Sequence, residues 1–173
     1  MTVKTILRMG DPRLLQQAQP VTDFAGAELR TLIDDMRDTM QAAGGVGLAA
    51  PQVGVTKRLI VMDCIKDGPP EPVVLINPRV VWASEDVTTY EEGCLSIPDQ
   101  YAEVKRPAMV RVEWTALDGT QQEREFSGLW ATCVQHEIDH LEGKLFIDYL
   151  GPLKRQMITR KMEKLKRERA RQG

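Results

Sequence analysis

Apolar residues first recur with a helical period near the N-terminal end of the chain. Leu29, Leu32, Ile33, Met36 and Met40 stand at i, i+3, i+4, i+7 and i+11 in an otherwise polar run. This predicts an amphipathic helix over 25–43, stopped by Gly44 and Gly45. Upstream, Asp11-Pro12 reads as a capped start to a short helix that ends before Pro20. Beyond 45 the period changes. Segments 58–64, 73–76, 80–83 and 104–115 are β-branched or alternating and predict strands. Leu117-Asp118-Gly119-Thr120 is a turn signal, after which 121–126 reads as the returning arm of a hairpin. Helical spacing returns from Leu129, with Gly143 placed to end the run. It appears again in Leu153, Met157, Ile158, Met162 and Leu165. Strands and helices do not alternate strictly, and no repeat is present. The pattern predicts an α+β fold, with a mixed or antiparallel sheet around a central helix and a further helix at the C-terminus.

The central helix carries the chemistry. Both histidines of the chain, His136 and His140, lie there, in Gln135-His136-Glu137-Ile138-Asp139-His140. Four residues apart on a helix, two imidazoles share a face and can reach one metal ion, with Glu137 beside it rather than on it. The plain alternative is a surface helix that happens to carry this short pattern. A two-histidine site needs a third protein ligand. Metalloproteases that continue the motif place a third histidine where this chain has Phe146, so Cys, Asp or Glu must serve. Cys94, in Glu91-Glu92-Gly93-Cys94-Leu95-Ser96, is the best candidate, because a thiolate binds zinc or iron well and Gly93 lets the backbone come close. Two histidines and one cysteine leave a coordination position open, as catalytic sites do. Cys133 is an alternative ligand by composition, but at i−3 its thiol would crowd His136. The stretch from Gly45 to Gln52, Gly-Val-Gly-Leu-Ala-Ala-Pro-Gln, lacks the Gly-Lys-Ser/Thr of a nucleotide loop. It is either a tight turn or a backbone that approaches a ligand, with Gln52 as a fixed hydrogen-bonding group.

Composition narrows the class. The 173 residues suffice for one domain with its own core, and 42% hydrophobic with 28% charged residues is ordinary globular composition. The first ten residues do not resemble a signal peptide, and apolar runs such as 59–62 are too short to span a bilayer. Three cysteines without paired spacing argue for a reducing compartment, hence a cytoplasmic protein. The net charge of −2 hides an asymmetry. Nine Lys or Arg against Glu163 and Glu168 make 153–173 a +7 segment, which leaves the body at −9. We expect a catalytic body over 1–152 and a basic C-terminal helix over 153–173 that extends the same domain. The basic helix is a candidate contact for a polyanion.

Three motifs stand in order: Gly45 to Gln52, Glu92-Gly93-Cys94-Leu95-Ser96, and Gln135-His136-Glu137-Ile138-Asp139-His140-Leu141. Together they resemble the peptide deformylases, over nearly the whole span from Asp11 to Tyr149. The resemblance implies a hydrolase that removes the formyl group from N-formylmethionine at the start of new bacterial polypeptides. It implies one divalent metal ion, Fe²⁺ by preference with Zn²⁺, Ni²⁺ or Co²⁺ as substitutes, held by Cys94, His136 and His140. It further implies Glu137 as catalytic acid and base, with the Gln52 amide and the Leu95 backbone N–H as oxyanion donors. Gly47 would let the substrate backbone lie alongside. The methionine pocket would use Val46, Tyr90, Leu129, Thr132 and Cys133. The last three also fall on the metal-facing side of the helix by their spacing from His136, where plain core packing is the alternative. Some members have Arg where this chain has Tyr101, which leaves contacts beyond the first substrate residue open. Glu92 and Arg106 are a candidate ion pair supporting the loop. The partners expected are nascent formylated polypeptides and, through the basic helix, the ribosome, with the protein itself a monomer that binds no membrane. Two other readings are a broad His-Glu-x-x-His metallopeptidase and a non-catalytic ribosome- or RNA-binding protein.

Overall fold

Strand β2 (Leu59–Met62) is buried at every position, because its alternate side chains enter two different cores. Leu59 and Val61 pack with Leu29, Ile33, Met36 and Met40 of helix α1 (Ala27–Ala42). Ile60 and Met62 pack with Ala131, Cys133, Val134 and Leu141 of helix α2 (Gly128–Leu141). The period of two along one strand thus places α1 on one face of the sheet and α2 on the other. The computed structural model describes residues 2–65 and 67–172.

The larger sheet has five strands in the order β1-β2-β3-β6-β7, with β1 at Gly47–Ala49, β3 at Val73–Ala83, β6 at Met109–Thr115 and β7 at Gln121–Ser127. All of its ladders are antiparallel. Strands β4 (Val87–Cys94) and β5 (Ile97–Pro107) form a separate antiparallel hairpin, paired from Val87↔Pro107 to Cys94↔Ile97. A third apolar cluster joins Ile97, Ala102 and Val104 of this hairpin to Leu145, Phe146 and Ile147 and to helix α3 (Pro152–Gln172). The architecture is α+β, with α2 central and α3 at the C-terminal end.

Several local expectations are revised. Segments 73–76 and 80–83 are one bulged strand. Asn77 takes a left-handed conformation (φ 53°) and its amide is clamped by Val21 N–H and C=O at 2.8 and 2.9 Å. Asn tolerates that backbone better than most residues, so the strand bends there without ending. Segment 104–115 is instead two strands in different sheets, broken at Ala108. The helix expected after Asp11 is a single 3₁₀ turn, Pro12–Leu15, with the Asp11 carboxylate accepting the Arg13 N–H at 3.0 Å.

On α3 the expected apolar stripe is only half used. Ile158 and Met162 are buried, whereas Leu153 and Met157 are 73% and 51% exposed. Burying two such side chains contributes roughly 1.5–3 kcal/mol each, so α3 is fastened to the third cluster and is not a free tail. Lys154, Arg160, Lys161, Lys164 and Arg167 remain exposed around it.

Candidate active site

Helix α2 begins where Gly128 takes a left-handed turn (φ 58°) after the extended Ser127. It then runs without a break through both histidines, whose ring centroids are 5.1 Å apart. Cys94 closes β4, and its Sγ lies 3.3 Å from His140 Nε2. One donor atom each from Cys94, His136 and His140 falls within 4.8 Å of the others. His136 Nδ1 is held by Glu92 Oε1 at 2.9 Å, which leaves its Nε2 for the common point. One thiolate and two imidazole nitrogens fit a divalent ion with an open position. Burial, with His136 and Arg106 nearby, holds the pKa of His140 well below its ordinary value, whereas at His136 burial is outweighed by the bonds to Cys94 and Glu92, which hold its pKa above the ordinary value.

Cys133 is not part of this group. Its thiol points to the Val46 carbonyl at 3.6 Å, and the Cys64 thiol, burial and Glu137 all push its pKa up, so it stays protonated. Glu137 is 4% exposed and its Oε1 has no hydrogen-bond partner among the described residues. Burial pushes its pKa up to about 7, against the opposing pull of His136. Gly47 is required beside it, because a Cβ there would sit 2.6 Å from Glu137 Oε2 and 2.8 Å from Cys133 Sγ. Gln52, 1% exposed in the 3₁₀ turn Ala50–Val53, is fixed at both ends of its amide. Its Oε1 accepts the Ala49 N–H at 3.0 Å, and its Nε2 donates to Ser96 Oγ at 3.1 Å and faces Cys94 Sγ at 3.6 Å.

These groups line one cleft of about 420 Å³. Val46, Gly47, Tyr90, Leu95, Leu129, Thr132 and Cys133 all border it, as do Gln52, Cys94, His136 and Glu137. His140 lies deeper, 1% exposed. Tyr101 stands at the mouth, 60% exposed, with its ring so close to Gly93 that a Cβ there would lie 2.5 Å from Cε1.

A sequence model of the polypeptide deformylases matches residues 3–156. The chain belongs to that family. A peptide deformylase of Rhizobium meliloti is 52% identical over 170 residues, 98% of this chain and 97% of the relative. The crystal structure of a peptide deformylase from Legionella pneumophila superposes with a TM-score of 0.90 at 48% identity, covering 98% of this chain and 99% of that one. The Ehrlichia chaffeensis peptide deformylase, solved in complex with actinonin, gives 0.89 at 37% identity over 97% and 98% of the two chains. This family member is therefore an enzyme, a metal-dependent hydrolase.

Behind the histidines of this deformylase-family chain lies a buried polar network. Arg106 donates to Glu92 through Nε (2.7 Å) and Nη2 (3.0 Å), and to Asp139 Oδ2 through Nη1 (2.8 Å). Arg106 and Glu92 are each 4% exposed at the side chain. The candidate ion pair expected from sequence is thus a bidentate pair inside the protein, and Glu92 Oε1, which accepts from Arg106 Nη2, also faces His136 Nδ1. Ser96, Asp139 and Tyr149 were not singled out from the sequence. Arg106 carried a usable signal, because it continues the inward parity of Ala102 and Val104 on β5. An inward arginine in a strand implies a buried carboxylate. Asp139 carried none, since its partners lie on other elements. No described helix is long and apolar enough to cross a membrane.

Proposed function

We propose that the cleft removes the formyl group from N-formylmethionine at the start of newly made polypeptides, releasing formate. One observation carries the assignment of the central role. Glu137 is a buried carboxylate with an unpartnered oxygen, in the cleft that Cys94 and His136 also line. A divalent ion held by Cys94, His136 and His140 would supply Lewis acidity there and lower the pKa of water. Glu137 takes the proton of the attacking water and returns it to the departing amine nitrogen, serving as base and then acid. Its raised pKa suits a group that must do both near neutrality. Charge developing on the formyl oxygen is met by the Gln52 amide and the Leu95 backbone N–H. The Ala49 N–H holds the Gln52 carbonyl, so its NH₂ end already faces the cysteine and needs no reorganisation. Val46, Tyr90, Leu129, Thr132 and Cys133 enclose the methionine side chain, and the peptide backbone lies alongside Gly47, which borders the same cleft.

The working metal we assign is Fe²⁺, with Zn²⁺, Ni²⁺ and Co²⁺ able to replace it. We place the enzyme in the bacterial cytoplasm as a monomer, with its body over 1–152 and the basic helix over 153–173 extending the same domain. The exposed basic side chains of α3 give it a surface for ribosomal phosphate.

The deciding experiment compares wild type with Glu137→Gln in metal-loaded form, using formate release from a formyl-methionyl peptide. The variant should keep its metal and lose roughly 10²–10⁴-fold in turnover. Near-normal turnover would remove Glu137 from the mechanism. Cleavage of internal peptide bonds in place of formate release would favour a general metallopeptidase.

A further inference from the structure

The network behind His136 does not stop at Arg106. Asp139 Oδ2 accepts a second hydrogen bond, from the Tyr149 hydroxyl at 2.8 Å. The same tyrosine lays its ring over the guanidinium, with Arg106 Cζ 4.7 Å from the ring centroid. The contacts therefore form one unbroken chain, from Tyr149 OH to Asp139, to Arg106, to Glu92, to His136 Nδ1. Exposure falls along it, from 48% for Tyr149 to 16% for the Asp139 side chain and 4% for Arg106 and Glu92. Tyr149 is thus both the outermost link and the roof that keeps water off the guanidinium. It comes from the 3₁₀ turn Phe146–Tyr149, just ahead of α3, and not from the elements that supply the ligands.

We infer that Tyr149 is a positioning residue of the metal site, acting on the His136 ring through Asp139, Arg106 and Glu92. The physical reason is the freedom each group would otherwise have. Asp139 Oδ2 is shared by two donors, and without the hydroxyl it is steered by Arg106 alone. Arg106 divides its donors between two carboxylates, so a shift of Asp139 is passed to the Glu92 fork. Glu92 Oε1 both accepts from that fork and faces His136 Nδ1, so the imidazole orientation depends on where the fork lies. Groups beyond the ligands set ligand orientation and basicity in this way.

This inference rests on the reading of Cys94, His136 and His140 as a metal site. Its test uses the full chain, stripped of metal and titrated with Co²⁺ against a competing chelator. Tyr149→Phe keeps the ring over Arg106 and removes only the hydroxyl. It should weaken Co²⁺ binding about tenfold, the low end for groups beyond the ligands, and shift the visible Co²⁺ absorption bands. Tyr149→Leu, which also removes the roof, should weaken binding further. In an Asp139→Asn background, Tyr149→Phe should add little, because residues acting through one network are not additive. A role confined to packing would lower the melting temperature of the metal-free protein and leave the Co²⁺ spectrum and affinity alone. Unchanged affinity and spectrum in Tyr149→Phe, or full additivity with Asp139→Asn, would overturn the inference. Failure of the wild type to take up Co²⁺ would overturn the metal reading itself, and this inference with it.

Discussion

Replacing Arg106 with methionine strands a buried carboxylate. Glu92 is 4% exposed and now receives two hydrogen bonds from the guanidinium, at 2.7 and 3.0 Å. In Arg106→Met only His136 Nδ1 remains against it, at 2.9 Å. Breaking a buried pair by removing one partner costs about 3–5 kcal/mol, because the remaining charge is left without water or counter-ion. For a chain of this size that corresponds to a fall in melting temperature on the order of 10 °C. The assay is urea or thermal unfolding with excess chelator, so that altered metal affinity does not enter the measured stability. The double variant Glu92→Gln/Arg106→Met should recover much of the loss, since the one carboxylate still without its cation, Asp139, is 16% exposed and keeps the Tyr149 hydroxyl. The pH dependence has a definite sign. In the wild type, burial raises the pKa of Glu92, but the bonds from His136 and Arg106 outweigh it and hold the pKa below its ordinary value of 4.5. That contribution is present above pH 4.5 and is lost as pH falls through the depressed value. In Arg106→Met burial is less opposed and the pKa rises, so the deficit against wild type should narrow as the pH is lowered. A single variant costing under about 1 kcal/mol, the range of an exposed pair, would refute the reasoning. So would a double variant as unstable as the sum of the two singles.

Other outcomes follow from the same geometry. Cys94→Ala should lose the metal on elemental analysis while Cys133→Ala and Cys64→Ala keep it; an emptied Cys133→Ala would reverse the ligand assignment. Gly47→Ala drives a methyl into Glu137 Oε2 and Cys133 Sγ, and a displacement of about 1 Å should cost on the order of 10²-fold in formate release; full activity would show that the cleft yields there. Deleting α3 would also remove Ile158 and Met162 from the core, so the ribosome contact is better tested by Lys161→Glu, Lys164→Glu and Arg167→Glu together. That variant should hydrolyse short formyl-methionyl peptides normally, while its ribosome affinity drops and depends less steeply on salt. Unchanged affinity would leave α3 as packing.

Much of the site was legible because its signals are local. The i, i+4 spacing of His136 and His140 needs only a helix, and the apolar period and terminal glycine of α2 announce one. The stripe from Leu29 to Met40 likewise predicts α1 to within two residues at its start and one at its end. The glycines around Val46 and the cysteine between Gly93 and Leu95 mark close approach, whatever the partner proves to be. What the chain could not disclose by itself depends on pairing across elements. Segments 73–76 and 80–83 look like two strands until Asn77 is seen clamped by Val21, 56 residues away. Segment 104–115 looks like one strand until its halves are assigned to different sheets. The side chains behind the metal site are the clearest case. Glu92 and Arg106, on two strands, were paired from sequence as a candidate, but Asp139 and Tyr149, on a helix and a 3₁₀ turn, have no local pattern that names their partners. Periodicity determines which face of an element turns inward, because that is a property of the backbone. Which buried charge meets which is decided only when the hairpin folds against α2, because in a water-poor interior each charge must find its counterpart in space, however distant in sequence.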